Sequence, residues 1–318
     1  MSTPFATNGS PSICVIFNPA AGRRRARQRL DALPPSWRSK VELWPTERPG
    51  HAVELGRCAA ERGFGIVAAA GGDGTVHEVA NGVLQAGRPE VCLAVLPLGS
   101  ADDYAYTLRQ DHDGQAGDPT RGRRVDVGVI RTDQGAERFF VCCLGLGFGP
   151  CVTVESRRVR WLQGQLLYGF AALRAIWKHW GYLDLTAKLD AEPLAADRTL
   201  MISVMLGRRE GGFVMAPQAR LDDGWFDLVL AGELTRWEAI RLIPRLSSSG
   251  PPRDHPKLGF HQGRRLLVES KQPLVIHADG EILCRKEDQV HRVEVELLPL
   301  RLLVRLGLDR IEAVTIGH

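Results

Sequence analysis

The sequence predicts two domains, an α/β unit built on a mostly parallel sheet followed by a β-sandwich. Three observations carry this. The chain has 318 residues, beyond the ~250–300 at which a single core usually stops growing. Up to Arg124, apolar strand-like runs alternate with helical patterns, the order of a layered α/β unit. Beyond it, short strand-like runs separated by Gly and Pro turns dominate, as in antiparallel sheets. The first domain is drawn over residues 12–124 and the second over 125–318, with the chain end free to return to the first.

Each element follows from its local pattern. Ile13–Phe17 is a wholly apolar run, the mark of a buried strand, and Arg23–Leu33 has helical character. Val41–Trp44 alternates like a strand. His51–Arg62 is a helix with Val53, Leu55, Cys58 and Ala59 available for packing. Ile66–Ala69 and Val91–Leu96 are further strands, the second ended by Pro97. The polar stretch Asp111–Arg124 is a linker or exposed loop. In the second domain, strands are expected at Phe139–Cys143, Leu200–Leu206, Trp225–Leu230, Leu266–Glu269, Leu274–His277, Val293–Leu297 and Leu302–Leu306. Helices are expected at Val159–Trp180 and Arg236–Leu246. No internal repeat is visible.

Composition narrows the function classes. The net charge is +4 and the pI about 8.7. This suits an anionic partner such as a nucleotide or lipid surface and is too weak for nucleic acid. The seven cysteines include no Cys-x-x-Cys pair and sit mostly in apolar runs. They read as buried thiols in a reducing cytosol rather than disulfides or zinc ligands. Met1–Ser12 lacks the charge and apolar run of a secretory signal and reads as a tail. The uncharged stretch Phe139–Val154 is broken by glycines and Pro150 and falls short of the ~20 residues of a membrane span. Membrane contact is therefore expected to be peripheral.

The most informative segment is Ala70-Gly71-Gly72-Asp73-Gly74-Thr75. It joins the strand Ile66–Ala69 to a helix bearing Val76, Val79, Ala80, Val83 and Leu84 on one face. Glycines let the backbone approach an anion, and a helix N-terminus offers unpaired N–H groups. Asp73 inside the turn suits a metal–nucleotide complex. Three other loops also follow strands: Asn18–Gly22, the loop holding Thr46, and Pro97-Leu98-Gly99-Ser100-Ala101-Asp102-Asp103. In a parallel sheet such turns fall together at the carboxyl ends, where open α/β folds bind ligands. Any one alone is an ordinary βα turn; four together point to a nucleotide site.

These motifs, in this order, resemble the diacylglycerol kinase catalytic-domain family, which includes bacterial soluble lipid kinases and sphingosine and ceramide kinases. The resemblance continues through Val125-Asp126-Val127-Gly128, Leu144-Gly145-Leu146-Gly147-Phe148, Asp222-Asp223-Gly224-Trp225-Phe226-Asp227 and Asp279-Gly280-Glu281, and spans roughly Ile13 to Leu306. It implies a nucleotide domain of NAD kinase/phosphofructokinase type and a β-sandwich that holds the lipid, with phosphoryl transfer in the cleft between them. It implies ATP and Mg²⁺ as cofactors. Asn18, Thr46, Gly71, Gly72, Asp73, Gly74, Thr75, Gly99 and Ser100 would line the nucleotide site. Asp279 matches the family's catalytic acid, with Glu281 beside it. Metal contacts would fall to Asp73, Asp103, Asp126 and Asp223, the last as side-chain ligand of a structural Mg²⁺ that the family can hold on the Asp222-Asp223-Gly224 loop. Phosphoryl transfer to an alcohol needs charge neutralisation and a proton acceptor, and Asp279 can supply the latter. Taken alone, Asp279-Gly280-Glu281 and Asp222-Asp223-Gly224 are also plain polar turns.

Two positions depart from the family pattern Gly-Thr-x-Asn-Asp-Phe-Ala-Arg. Asp102 replaces an amide with a charge near the expected phosphates, and Tyr106 removes a cation. The expected activity is an ATP-dependent lipid kinase with diacylglycerol as default acceptor. The alternatives are an NAD kinase-like phosphotransferase, or a nucleotide- or lipid-binding relative with weak or no turnover. Leu162, Leu166, Phe170, Leu173, Trp177 and Trp180 form a helical stripe flanked by Arg157, Arg158, Arg160, Lys178 and His179, with Trp161 nearby. This suits a membrane interface, or a helix packed on the sandwich. The cluster Arg23, Arg24, Arg25, Arg27 and Arg29 suits anionic headgroups, or a solvated face. A cytoplasmic, membrane-peripheral protein is expected; a homodimer is allowed and not required.

Overall fold

Four parallel strands begin the fold: β1 (Ile13–Phe17), β2 (Val41–Pro45), β3 (Ile66–Gly71) and β4 (Cys92–Pro97), in the order β2-β1-β3-β4. The computed structural model describes residues 13–21, 40–99, 101–113, 122–159, 162, 164–194 and 197–308. The expected tail Met1–Ser12, the helix Arg23–Leu33 with its arginine cluster, Ser100, Arg160 and Trp161 lie outside them. Along β1, Cys14 and Ile16 enter one apolar cluster while Ile13, Val15 and Phe17 enter another. The strand is thus buried on both faces, which is why it reads as a continuous apolar run. Register pairs Phe17 with Pro45 and Ala70, and Gly71 with Pro97. The carboxyl ends therefore align, and their loops gather at one edge.

Among the described residues, three helices cover this sheet: α1 (His51–Glu61), α2 (Asp73–Gln85) and α3 (Asp103–Asp113). α1 and α2 approach backbone to backbone through Gly56 and Gly82. A Cβ on Gly56 would lie 2.9 Å from the Val79 carbonyl oxygen. This tight crossing fixes where α2 presents its N-terminus.

β5 (Arg123–Thr132) and β19 (Arg292–Leu306) carry the main sheet from one domain into the other. Leu303–Leu306 of β19 run parallel to β4, while Arg292–Glu296 pair antiparallel with β16 (Arg265–Ser270). The two strands expected at Val293–Leu297 and Leu302–Leu306 are thus one, interrupted by a register shift between Leu298 and Leu302. Asp126 pins that shift, accepting the Leu300 N–H at 2.7 Å and the Gly224 N–H at 2.8 Å. β6 (Glu137–Phe140) and β8 (Leu183–Leu189) complete most of this mixed sheet.

A second, antiparallel sheet has the order β15-β14-β11-β7-β17-β18. Its strands are β15 (Leu258–Gly263), β14 (Phe226–Ala231), β11 (Met201–Met205), β7 (Cys143–Gly147), β17 (Ile276–Ala278) and β18 (Glu281–Cys284). Leu144, Leu146, Ile202, Val204, Phe226 and Leu228 meet Leu266, Val268, Val293 and Val295 of the main sheet, forming the core of a β-sandwich. Its other face is covered by α4 (Phe148–Arg158), α5 (Gly164–Lys178) and α6 (Arg236–Leu246).

The helix expected over Val159–Trp180 is α5, and α4, which ends at Arg158, is one the sequence did not announce. Pro150 falls in the first turn of α4, where its missing N–H costs nothing. Buried Glu155 of α4 ties the pair together by accepting from Arg158 at 2.7 Å, Arg174 at 2.8 Å and His179 at 3.1 Å. Burial pushes its carboxyl up, but the His179 and Arg174 hydrogen bonds hold it down to about 2. The expected strand Phe139–Cys143 is also split. β6 ends at Phe140 and β7 starts at Cys143, freeing the amides between them for another partner. Among the described residues no helix is long and apolar enough to cross a membrane.

Candidate active site

A cavity of about 1580 Å³ lies where the two domains meet. Its lining includes Asn18, Thr46, Gly72, Asp73, Gly74, Thr75 and Gly99, together with Asp103, Asp279 and Glu281. Phe148, Val152, Tyr168, Ile176, Met201, Phe213, Met215 and Ile243 give the same cavity an apolar chamber. Of the expected nucleotide residues, Gly71 ends β3 behind the lining and Ser100 is not described.

The glycine turn has the geometry of an anion cradle. Gly72 is the N-cap of α2, and no side chain caps the helix. Thr75 and Val76 donate to the Gly72 carbonyl, so the N–H groups left for an anion are those of Asp73 and Gly74 at the cavity lining, with the helix dipole behind them. Gly72 and Gly99 touch backbone to backbone: a Cβ on Gly99 would lie 2.6 Å from the Gly72 Cα. The two loops can close on one ligand only while both residues lack a side chain. Asn18 caps its own loop, its Oδ1 accepting the Ala20 N–H at 2.9 Å. Asp102 accepts the Gly99 N–H at 2.9 Å through Oδ1, the atom an asparagine would also offer. The departure at Asp102 thus preserves the turn and adds charge.

Asp73 and Asp103 form an electrostatic pair. The Asp103 carboxylate is buried and accepts the Gly212 N–H at 3.0 Å; Asp73 accepts the Tyr104 N–H at 3.3 Å. Burial, then the Asp102 charge, pushes Asp73 up to about 6. Burial and the Asp73 charge push Asp103 in the same direction. Tyr106, where the family pattern has arginine, carries the Arg209 guanidinium 3.4 Å above its ring. Arg209 in turn draws Asp103 down by its charge, so a cation from the second domain stands beside the departing position.

The raised carboxyl has a consequence for stability. Asp73 binds a proton in the folded protein at pH values where the unfolded chain, near 3.8, is already ionised. The stability this contributes is present at low pH and is lost as pH rises from about 4 through about 6, up to about 2 kcal/mol for a partly exposed group. The unliganded protein should therefore unfold at a lower temperature at pH 7 than at pH 5 by this contribution. Asp73→Asn should flatten that slope, as read by thermal unfolding across the range.

Asp279 is the most densely coordinated carboxylate of the site. With Gly280 it forms the two-residue turn of the β17–β18 hairpin, at φ 50 and φ 79, left-handed values that suit Asp-Gly. The plain turn and the functional position are therefore the same object. Oδ1 accepts the Cys142 N–H at 2.8 Å and the Cys143 N–H at 2.9 Å. Oδ2 accepts the Val141 N–H at 3.0 Å and faces His77 Nδ1 at 2.8 Å. These amides come from the gap between β6 and β7. Glu281 stands at the cavity mouth in an ion pair with Arg157 at 2.6 Å. A Cβ on Gly74 would lie 2.6 Å from Glu281 Oε1, so the glycine turn and the acidic hairpin face each other closely.

His77 and Asn81 are absent from the sequence-stated site, yet they join its halves. Asn81 donates to the Phe139 carbonyl at 3.0 Å and accepts the Phe139 N–H at 3.1 Å, locking α2 to β6. The signal was there in spacing: Asp73, His77 and Asn81 recur every fourth residue along one face of α2. Asp126 and Asp223, expected with Asp73 and Asp103 as metal contacts, lie outside the cavity lining. Asp126 serves the β19 shift, and Asp223 accepts the Trp225 N–H at 3.0 Å within its own turn. Among the described residues, no three His, Cys, Asp or Glu side chains gather as a metal-holding group.

Family models match the chain in two stretches. The diacylglycerol kinase catalytic domain covers residues 12–130, and the YegS C-terminal NAD kinase beta sandwich-like domain covers residues 143–304. The chain belongs to the diacylglycerol kinase family. A diacylglycerol kinase of Staphylococcus haemolyticus (strain JCSC1435) is 28% identical over 281 residues, covering 84% of this chain and 81% of that protein. One from Staphylococcus aureus (strain MRSA252) is 27% identical over 279 residues, covering 84% and 85%. A crystal structure of a diacylglycerol kinase from Bacillus anthracis str. Sterne superposes with a TM-score of 0.67 at 18% identity, covering 93% of this chain and 96% of that one. That likeness establishes the shared fold: an α/β domain on a mostly parallel sheet, joined to a β-sandwich. Family membership makes the protein a kinase-type phosphotransferase.

Proposed function

We propose that this family member transfers the γ-phosphoryl group of ATP to the hydroxyl of a lipid of the diacylglycerol type. The observation that carries the reading is the continuity of one cavity. Glycine turn, carboxylate pair, Asp279 and apolar chamber all line it. The N–H groups at the start of α2 bind phosphate oxygens. The apolar chamber takes the acyl chains, so the hydroxyl is left facing Asp279. As the hydroxyl oxygen bonds to the γ-phosphorus, the bond from that phosphorus to the β–γ bridging oxygen breaks and ADP leaves; Asp279 Oδ2 takes the hydroxyl proton, and His77 holds that oxygen in place. Mg²⁺ entering with the nucleotide would be held by Asp73 and Asp103 and would neutralise charge developing on the transferred group. The pair of half-buried Asp73 and buried Asp103 fits such an ion, because two adjacent carboxylates are costly when both are ionised and unpaired.

Labelled ATP, Mg²⁺ and a total lipid extract test the reading. Label should enter an organic-soluble product. Label in NADP after addition of NAD, or nucleotide binding with no transfer to either acceptor, would overturn it.

The same reading calls for access to a bilayer, and α5 and α6 supply an apolar face. Leu166 is 74% exposed, Trp177 60% and Trp237 64%, with Phe170 and Leu173 between them. Arg236 lies over the Trp177 ring. Trp180 leaves the expected stripe and packs on Phe148. Several expected basic flanks are engaged elsewhere: Arg158, Lys178 and His179 with Glu155, and Arg157 with Glu281. Apolar insertion, rather than charge alone, is therefore the proposed mode. Replacing Leu166, Trp177 and Trp237 together by serine should weaken vesicle sedimentation by at least about tenfold. Turnover of a detergent-dispersed short-chain substrate should change little.

A further inference from the structure

A second buried acid–histidine pair lies beside Asp279 and has no part in the chemistry above. Glu210 closes β12 (Arg209–Glu210), and its carboxylate faces His277 Nε2 at 2.8 Å while accepting the Ser203 hydroxyl at 2.7 Å. The His277 side chain is fully buried, and that of Glu210 is 12% exposed. The other ring nitrogen of His277 receives the Gly280 N–H at 3.2 Å. Because Nδ1 accepts that bond, the ring proton sits on Nε2 and points at Glu210. The tautomer is thus set by its two neighbours.

The Gly280 amide is the point of interest. Asp279 and Gly280 both have left-handed φ, and the hairpin turn they form aims the Asp279 carboxylate into its amide nest. Arg157 fixes the Gly280 carbonyl at 3.0 Å, and His277 fixes its N–H. The two peptide units that flank the Gly280 Cα, next to the reacting carboxylate, are therefore each held by one of these bonds. Space for the clamp is built into the sheet. A Cβ on Gly145 would collide with His277 Nε2, and one on Gly149 would lie 2.9 Å from Glu210 Oε1. This gives the glycine-rich segment Leu144–Phe148 a physical reason.

The far end of the clamp reaches the nucleotide side. β12 and β13 (Phe213–Val214) form a hairpin whose two-residue turn is Gly211-Gly212. The Gly212 N–H holds Asp103, and the preceding Arg208 N–H donates to Thr107 of α3 at 3.0 Å. One short hairpin thus grips the Asp103 carboxylate with its turn and the Asp279 turn with Glu210.

We infer that Glu210 and His277 are positioning residues, which set the Asp279 turn against the Asp73 and Asp103 pair through this hairpin. The inference rests on the reading of Asp279 as proton acceptor. A shift of about 1 Å in such a group can cost on the order of 10²-fold in rate.

The test compares four variants of the full chain by steady-state kinetics in the lipid assay. Glu210→Gln keeps an acceptor for Nε2–H and should stay within about threefold of the parent turnover. Glu210→Ala removes it and should lower kcat by about 10–100-fold, with the nucleotide KM within about twofold. Asparagine at 277 places an acceptor near the Nδ1 position, and glutamine places a donor near the Nε2 position. His277→Asn should therefore retain more kcat than His277→Gln. The order holds whether or not Glu210→Ala folds well, since it is read within one position. Glu210→Ala at parent kcat, Glu210→Gln no better than Glu210→Ala, or His277→Gln equal to or above His277→Asn would each overturn the inference. Failure of the underlying reading looks different: the parent protein itself would transfer no label to lipid, or Asp279→Asn would stay active.

Discussion

Asp279→Asn should remove at least about 10³-fold of turnover, at the upper end of what a positioned general base contributes. The substitution is close to isosteric, and asparagine tolerates the left-handed φ of 50 as well as aspartate does. Its Oδ1 can still accept the amides of Cys142 and Cys143 and becomes the one acceptor for that of Val141, now 3.3 Å away, while its NH₂ turns toward His77, which accepts after a change of tautomer. Hairpin and amide nest should therefore persist. What disappears is the anionic oxygen that takes the hydroxyl proton. Nucleotide affinity, measured by calorimetry, should stay within about threefold of the parent, because the cradle at Gly72 to Thr75 belongs to another element. Turnover above a tenth of the parent value would rule out the proton-acceptor role.

Gly82→Ala should be the most destabilising single methyl addition to the first domain. Its Cβ would strike the Val53 carbonyl and sit 2.7 Å from the Arg57 nitrogen and 3.0 Å from the Gly56 Cα. All three are backbone atoms, so no side chain can swing aside. α2 would have to lift from α1, an overpacking cost of about 3 kcal/mol. For a domain of this size that lowers the unfolding temperature by roughly 10–15 °C. The effect should reach the site, since α2 carries Asp73, His77 and Asn81 toward the second domain. Gly65→Ala is the control: its Cβ meets nothing within 4 Å, and its unfolding temperature should match the parent.

Much of the first domain was legible because its signals are local. Strand, glycine turn and helix follow one another within Ile66 to Gln85, and each is marked by residues that favour it. The α6 boundaries were readable for the same reason: Thr235 and Glu238 make a capping box within one turn. The second domain was less legible. A register shift inside β19 looks like a gap between two strands, because Pro299 to Arg301 break the alternation while the chain continues. The start of α4 was hidden because an apolar run through Phe148 and Pro150 fits strand or helix until packing chooses.

The site divides along the same line. Order and spacing along the chain determined the glycine turn, Gly99, Asp103, Asp279 and Glu281, and these converge on one cavity. Only tertiary structure decided that Asp126 and Asp223 serve turns outside it. It also decided that Arg209 stands over Tyr106, and that His77, Glu210 and His277 hold the hairpin that aims Asp279. The physical reason is separation. A turn or a cap is fixed by neighbours a few residues away, whereas the partner of a buried carboxylate is whichever group the fold brings within about 3 Å. For Asp279 that group is His77, 202 residues away along the chain.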